Sequence, residues 1–145
     1  MPQLADSNVW LALIISGHAF HDAAEAWFDG MRSRERAAFC RATQQSLLRL
    51  LTTAAVFAPY ATPALSNKSA WSVYHYFMND RRVTWIGEPD GIETHWKRFA
   101  STSKASPKLW MDAYLAAFAI AGEHQFVTTD NAFQQFKGLD LVLLT

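Results

Sequence analysis

Ser106-Pro107-Lys108-Leu109-Trp110-Met111-Asp112 leads into the uncharged run Ala113 to Ala121, and Gln125-Phe126-Val127-Thr128-Thr129-Asp130 follows shortly after. The pair reads as a helix and then a strand. Ser106 is predicted as the N-cap and Pro107 as the first helical residue, which places Asp112 beyond the first turn and rules out a capping role for it. Its neighbours at three- and four-residue spacing are Leu109, Leu115 and Ala116, so the helix is expected to be buried. A carboxylate on such a helix has to be protonated, paired with a cation or bound to metal. The strand, Gln125 to Thr129, ends directly at Asp130.

The chain opens in a similar way. Pro2 to Asp6 is a short apolar stretch, and Asp6 or Ser7 can start a helix that continues through Val9 to Ile15. Further on, Asp22 to Arg34 is predicted as an amphipathic helix with Ala23, Ala26, Trp27 and Met31 toward one side. Ala37 to Cys40 is a strand candidate, and Thr43 opens a helix to about Ala55 that carries Leu47, Leu48, Leu50 and Leu51. Pro59 to Pro63 marks a loop. Ser69 to Asn79 is a helix, Val83 to Ile86 a strand, Ile92 to Ala100 a helix and Leu139 to Leu144 the last strand. Strands that alternate with helices imply a parallel sheet covered on both faces, with right-handed crossovers. Ligands in such folds bind beyond the carboxyl ends of the strands. Asp6 and Asp130 both follow strands, so they are expected on that edge with Asp112 facing them. Three crowded carboxylates repel unless a cation joins them, and hard oxygen ligands suit magnesium or manganese. Metal-assisted phosphodiester hydrolysis is chemistry that such a centre supports.

Composition narrows the function classes. With 145 residues, 50% of them hydrophobic, the chain is expected to form a single domain over residues 1–145. Thirteen basic and thirteen acidic residues cancel, so any polyanion must be met by a local basic patch. The single cysteine, Cys40, excludes an internal disulfide and a cysteine metal cluster, and it reads as a small core residue. No leader-like segment and no apolar run of membrane-spanning length is found, so a soluble cytoplasmic protein with no membrane partner is expected.

Four segments together carry a resemblance: Leu4-Ala5-Asp6-Ser7-Asn8, the Thr43 to Leu51 helix with Arg49, Asp112-Ala113-Tyr114-Leu115-Ala116-Ala117, and Thr128-Thr129-Asp130-Asn131-Ala132-Phe133. In order and separation they resemble the PIN-domain ribonucleases, in particular the VapC-type toxins of bacterial toxin–antitoxin pairs. The resemblance implies a three-layer α/β/α sandwich with a central parallel sheet and Mg²⁺-dependent endonucleolytic cutting of RNA, with Mn²⁺ as an alternative ion. It also implies homodimerisation and inhibition by a small cognate antitoxin inserted into the acidic groove. Asp6, Asp112 and Asp130 become the expected metal-binding and catalytic residues. One position departs from the pattern: three residues after Thr43 the family commonly has glutamate, whereas this chain has Ser46, preceded by Gln44 and Gln45. Lower metal affinity or lower occupancy of a second metal site is the expected consequence.

Asn8 and Thr129 are assigned supporting roles as groups that orient the carboxylates, Ser7 reads as a helix cap before a catalytic hydroxyl, and the oxygen of Ser46, Gln44 or Gln45 could hold a metal-bound water. Arg41 and Arg49 lead a set of basic residues, including Arg81, Arg82, Lys97, Arg98, Lys104 and Lys108, that could contact RNA. Trp71, Tyr74 and Trp85 are read as core or dimer-packing residues before base-stacking ones. His18 and His21 read as loop and helix-start residues and not as a zinc pair. Asp6 and Asp130 also sit where helix caps are expected. Two other functions stay open: a catalytically weakened PIN-like module that binds RNA or antitoxin, and another Mg²⁺-dependent phosphoryl-transfer enzyme.

Overall fold

Leu4 and Ala5 are neighbours in the chain, yet they lie in two different hydrophobic cores. Phe126 and Val127 divide in the same way, as the two-residue period of a strand requires. In the computed structural model, which describes residues 2–145, five short strands form one parallel sheet. They are β1 (Gln3–Ala5), β2 (Ala37–Phe39), β3 (Val83–Trp85), β4 (Gln125–Thr128) and β5 (Leu141–Leu143), in the order β3-β2-β1-β4-β5. Gln3 pairs with Ala37 on one side and with Gln125 on the other, so β1 is central. The chain winds outward from β1 to β2 and β3, then returns to the other side for β4 and β5. A switch point therefore lies between β1 and β4.

Helices α1 (Ser7–Ile14), α2 (His21–Asp29), α3 (Arg41–Leu51), α4 (Ala54–Phe57) and α5 (Asn67–Met78) supply the first core. Its centre is Trp10, fully buried and stacked on Phe39 at 4.0 Å, with Phe28 and Phe77 edge-on. Helices α6 (Ile92–Ala100) and α7 (Leu109–Ala121), with Phe133 and Phe136, cover the opposite face against Leu4 and Phe126. The result is the expected three-layer α/β/α sandwich. Among the described residues no helix is long and apolar enough to cross a membrane.

Several boundaries differ from the sequence reading. α7 starts at Leu109, not Pro107: Lys108 is its N-cap, and the Leu109 N–H bonds back to the Ser106 carbonyl in a turn. Asp112 consequently lies in the first helical turn. α2 stops at Gly30, and its inward residues are Ala24 and Phe28, while Ala26 is exposed. α3 begins at Arg41. Thr43 is its third residue, and the Thr43 hydroxyl accepts from the Cys40 N–H at 3.0 Å, closing a capping box with Cys40, which is buried as expected. Thr52 and Thr53 bond back to the last α3 carbonyls, so the predicted long helix breaks before Ala54. The proline loop contains a single 3₁₀ turn, Ala58–Tyr60.

α7 ends in a Schellman closure: the His124 N–H bonds to the Ala119 carbonyl, the Glu123 N–H bonds to the Ile120 carbonyl, and Glu123 takes φ +56°. A side chain in that left-handed position carries a steric cost that glycine avoids. Glu123→Gly is therefore expected to raise stability by about 0.5–1 kcal/mol, seen as a small upward shift of the thermal midpoint. A lower midpoint would contradict this reading of the turn.

Candidate active site

At the carboxyl ends of β1 and β4 the side-chain alternation continues past the strands. Leu4 and Phe126 face α7, so Asp6 and Thr128, two residues further on, fall on the same side. Asp6 is anchored by its own N–H to the Val127 carbonyl at 2.8 Å. Its Oδ1 accepts from the Ser7 N–H at 2.8 Å, which makes Asp6 the N-cap of α1. Its Oδ2 accepts from the Thr128 hydroxyl at 2.9 Å and from Asn8 Nδ2 at 3.2 Å. Capping thus uses one oxygen and leaves the other to a polar network.

Asp130 follows β4 and caps the 3₁₀ turn Asn131–Gln135 through the Ala132 N–H. Asp112 reaches the same edge from α7. From Ala121 back to Asp112 the helix climbs about 14 Å at its standard rise. From Gln125 to Asp130 an extended chain climbs about 16 Å in parallel. The charges of Asp112 and Asp130 both act on Asp6, and that of Asp130 acts on Asp112. Among the described residues, no three His, Cys, Asp or Glu side chains are gathered around one cation position. Three carboxylates that share an edge with only Lys108 acting on Asp112 as a counter-charge repel, which favours separated rotamers.

Electrostatics at the edge follow from burial. Asp6 is only 8% exposed, and desolvation pushes its carboxyl up to about 6, against the lowering effect of the Thr128 and Ser7 hydrogen bonds. Asp112 is also raised, first by burial and then by Asp130, with Lys108 opposing. A cavity of about 530 Å³ bounded by Leu13, Phe28, Val73, Phe77 and Arg82 lies away from these carboxylates, between α1, α2 and α5.

The chain matches the PIN domain family model over residues 4–139. It belongs to the PIN-domain family. Ribonuclease VapC41 of Mycobacterium tuberculosis is 51% identical over 142 residues, covering 97% of each chain. Ribonuclease VapC29 of the same species is 29% identical over 144 residues, covering 99% of this chain and 97% of that one. In fold, this PIN domain resembles VapBC2 from Rickettsia felis, solved bound to a DNA fragment from its promoter (TM-score 0.71, 13% identity, both chains covered in full). It also resembles Mycobacterium tuberculosis VapC20, a Sarcin-Ricin loop cleaving toxin (TM-score 0.65, 14% identity, 97% and 98% covered).

The supporting residues of this PIN domain divide unevenly. Asn8 bridges Asp6 and Thr128 through Nδ2, while its Oδ1 accepts from the Thr129 N–H at 3.3 Å. Thr129 therefore contributes backbone only, and the working hydroxyl is that of Thr128, fully buried, which the sequence reading passed over. The signal was present: counting by two from Phe126 puts Thr128 and Asp130 in line, and Thr129 on the other side. Ser7 is the first helical residue and not the cap, and its Oγ lies 2.9 Å from Ser46 Oγ. Ser46 thus sits beside the Asp6 turn, although α3 starts at Arg41 and places it in the second turn, away from the helix N-terminus. Gln44 is buried and accepts from Arg41; Gln45 is exposed.

The basic and aromatic candidates scatter. Arg82 is taken by Asp80 at 2.8 Å and by Asp29 at 3.3 Å and covers the Phe28 ring, which is a structural role. Arg41 lies over Trp85, while Arg49 is exposed near Thr52, Asn67 and Trp71. Tyr74 is buried in the first core, whereas Trp71 and Trp85 are exposed. His18 Nδ1 accepts from the Phe20 N–H, and His21 is engaged by the Ala12 carbonyl and Glu25, so each histidine has a structural partner.

A raised carboxyl pKa means that the folded chain binds the proton more tightly than the unfolded chain. The contribution of Asp6 to stability is therefore complete below about 3.8 and lost as pH rises through about 6. In the metal-free protein the stability of Asp6→Asn relative to wild type is expected to improve by about 2 kcal/mol between about pH 4 and about pH 7.5. Urea unfolding of both proteins across that range measures it; a pH-independent difference would show that burial does not destabilise the charged form.

Proposed function

We infer that the chain is a metal-dependent endoribonuclease, the toxin of a toxin–antitoxin pair, folded as a single domain over residues 1–145. Its cutting centre is Asp6, Asp112 and Asp130. The 51% identity to a protein named as a ribonuclease, over 97% of both chains, carries the activity. What supports the centre is that Asp6 and Asp130 follow β1 and β4 at the switch point, where parallel α/β folds take their ligands, and that the charge of Asp112 acts on Asp6.

The donor set fits a hard divalent cation, Mg²⁺ or Mn²⁺: only carboxylate oxygens are offered, and the carboxyl of Asp6, held near 6, gains from a positive charge. Such an ion supplies Lewis-acid activation of water and neutralises charge on the phosphate. The chain's own part is positional. Thr128 and Asn8 hold the Asp6 carboxylate in one orientation, the α1 N-terminus fixes its second oxygen, and Asp130 is restrained by the Ala132 N–H. Asp112 enters on the first turn of α7. The partners that go with this reading are RNA, a small antitoxin and a second copy of the chain. The exposed Trp71 and Tyr76 of α5, beside α3, favour that helix pair for the dimer.

Asp112→Asn is expected to lower RNA cleavage by at least about a hundredfold while leaving the far-UV spectrum unchanged. A chelator should abolish wild-type cleavage, and Mg²⁺ or Mn²⁺ should restore it. A folded variant of full activity would remove Asp112 from the centre. Wild-type binding of RNA without metal-dependent cutting would favour the weakened module, and phosphatase activity on small esters alone a different phosphoryl-transfer enzyme.

Ser46→Glu adds a carboxylate next to Ser7 and is expected to tighten Mg²⁺ binding roughly five- to tenfold by calorimetric titration. An unchanged dissociation constant would mean that a side chain at this position does not reach the cation.

A further inference from the structure

We propose that Arg41 is a substrate-holding residue, which grips a phosphate of single-stranded RNA beside the acidic centre and is fixed in place by Trp85 and Gln44. The proposal deepens the ribonuclease reading and rests on it. Arg41 is the first residue of α3, just past β2, the strand next to β1. Register sets its height: Leu4 pairs with Ala38, so Asp6 is level with Cys40, and Arg41 stands one residue beyond. Trp85 pairs with Phe39 and ends the next strand outward, about 10 Å from β1 across two strand spacings. Counting by two from Phe39 turns Arg41 toward the α5 side of the sheet, where its charge acts on Tyr74, while Asp6 turns toward α7. An extended RNA segment therefore meets both the carboxylates and Arg41 by crossing this edge.

The guanidinium is held ready. Its Cζ lies 5.0 Å from the Trp85 ring centroid, and Nη1 donates to Gln44 Oε1 at 2.7 Å. Gln44 is 5% exposed, so this anchor is itself buried. Stacking and one hydrogen bond fix the side chain and leave Nε and Nη2, the edge suited to two phosphate oxygens, without an acceptor among the described residues. Among the described residues no carboxylate pairs with Arg41, in contrast to Arg82, which two aspartates occupy. An edge bearing three acids repels a polyanion, and a chain of zero net charge supplies no overall attraction. A local, uncompensated and oriented cation answers that need. Arg49 does not: it lies eight residues along the helix, about 12 Å away, and no side chain among the described residues holds it.

The test uses the full-length protein and a single-stranded RNA oligonucleotide that wild type cleaves. Arg41→Met is expected to raise KM about tenfold with kcat within about twofold, and to reduce the salt dependence of RNA affinity, measured in the Asp112→Asn background, by about one phosphate contact. Arg41→Lys should keep the salt slope but raise KM by a smaller factor than Arg41→Met, because charge survives and the fork does not. Arg34→Ala removes one positive charge from the exposed loop at the opposite sheet edge and serves as the control. If Arg41→Met matches Arg34→Ala in KM and salt slope while wild type cleaves, Arg41 does not hold substrate and the ribonuclease reading stands. If wild type cleaves no RNA with metal present, both fall together.

Discussion

Thr128 has one hydroxyl proton and two lone pairs, and all three are committed at the point where β1 and β4 end. The proton goes to Asp6 Oδ2, and the lone pairs take Asn8 Nδ2 and the Asp130 N–H. One buried side chain thereby ties together the residues after two adjacent strands and the first turn of α1. Strands of three or four residues give a short ladder, so the relative placing of these ends depends heavily on such side-chain bonds. The orientation of Asn8 is in turn set by the Thr129 N–H, which fixes its carbonyl end. Asp6 and Asp130 are thus located by a saturated network that stands on two aromatic-rich cores.

Against that order stands an electrostatic conflict. The switch point buries Asp6, burial opposes its charge, and two further aspartates share the edge. The network lowers the cost without removing it. On the β2 side of β1, Arg41 is offset by one strand and held by stacking on Trp85 and by Gln44, not by an acid. Among the described residues, Arg41 and the acids of this edge form no ion pair.

The sequence conveyed the layers well because each depends on a strong pattern. Alternation at Leu4-Ala5 and Phe126-Val127 and the uncharged run after Asp112 specify which surfaces are buried, and the aspartates after the strands followed from that. Where the reading slipped, local hydrogen bonds decided. Pro107 is compatible with a helix start, but the turn from Ser106 delays α7 to Leu109. Thr43 resembled a helix start because it completes a capping box from the third position. Thr128 and Thr129 are the same residue type side by side, and only the strand register separates the one whose hydroxyl reaches Asp6. The environment of Arg41 was not legible, since Trp85 lies 44 residues away and meets it only through strand pairing.

A carboxylate whose ionisation works against folding also couples the lifetime of the chain to its surroundings. Any cation that stabilises the charged edge adds to folding free energy in proportion to the logarithm of its concentration over its dissociation constant. Proteolysis that samples open forms tracks that free energy. The turnover of the molecule, and not only its chemistry, would then report the supply of divalent ions.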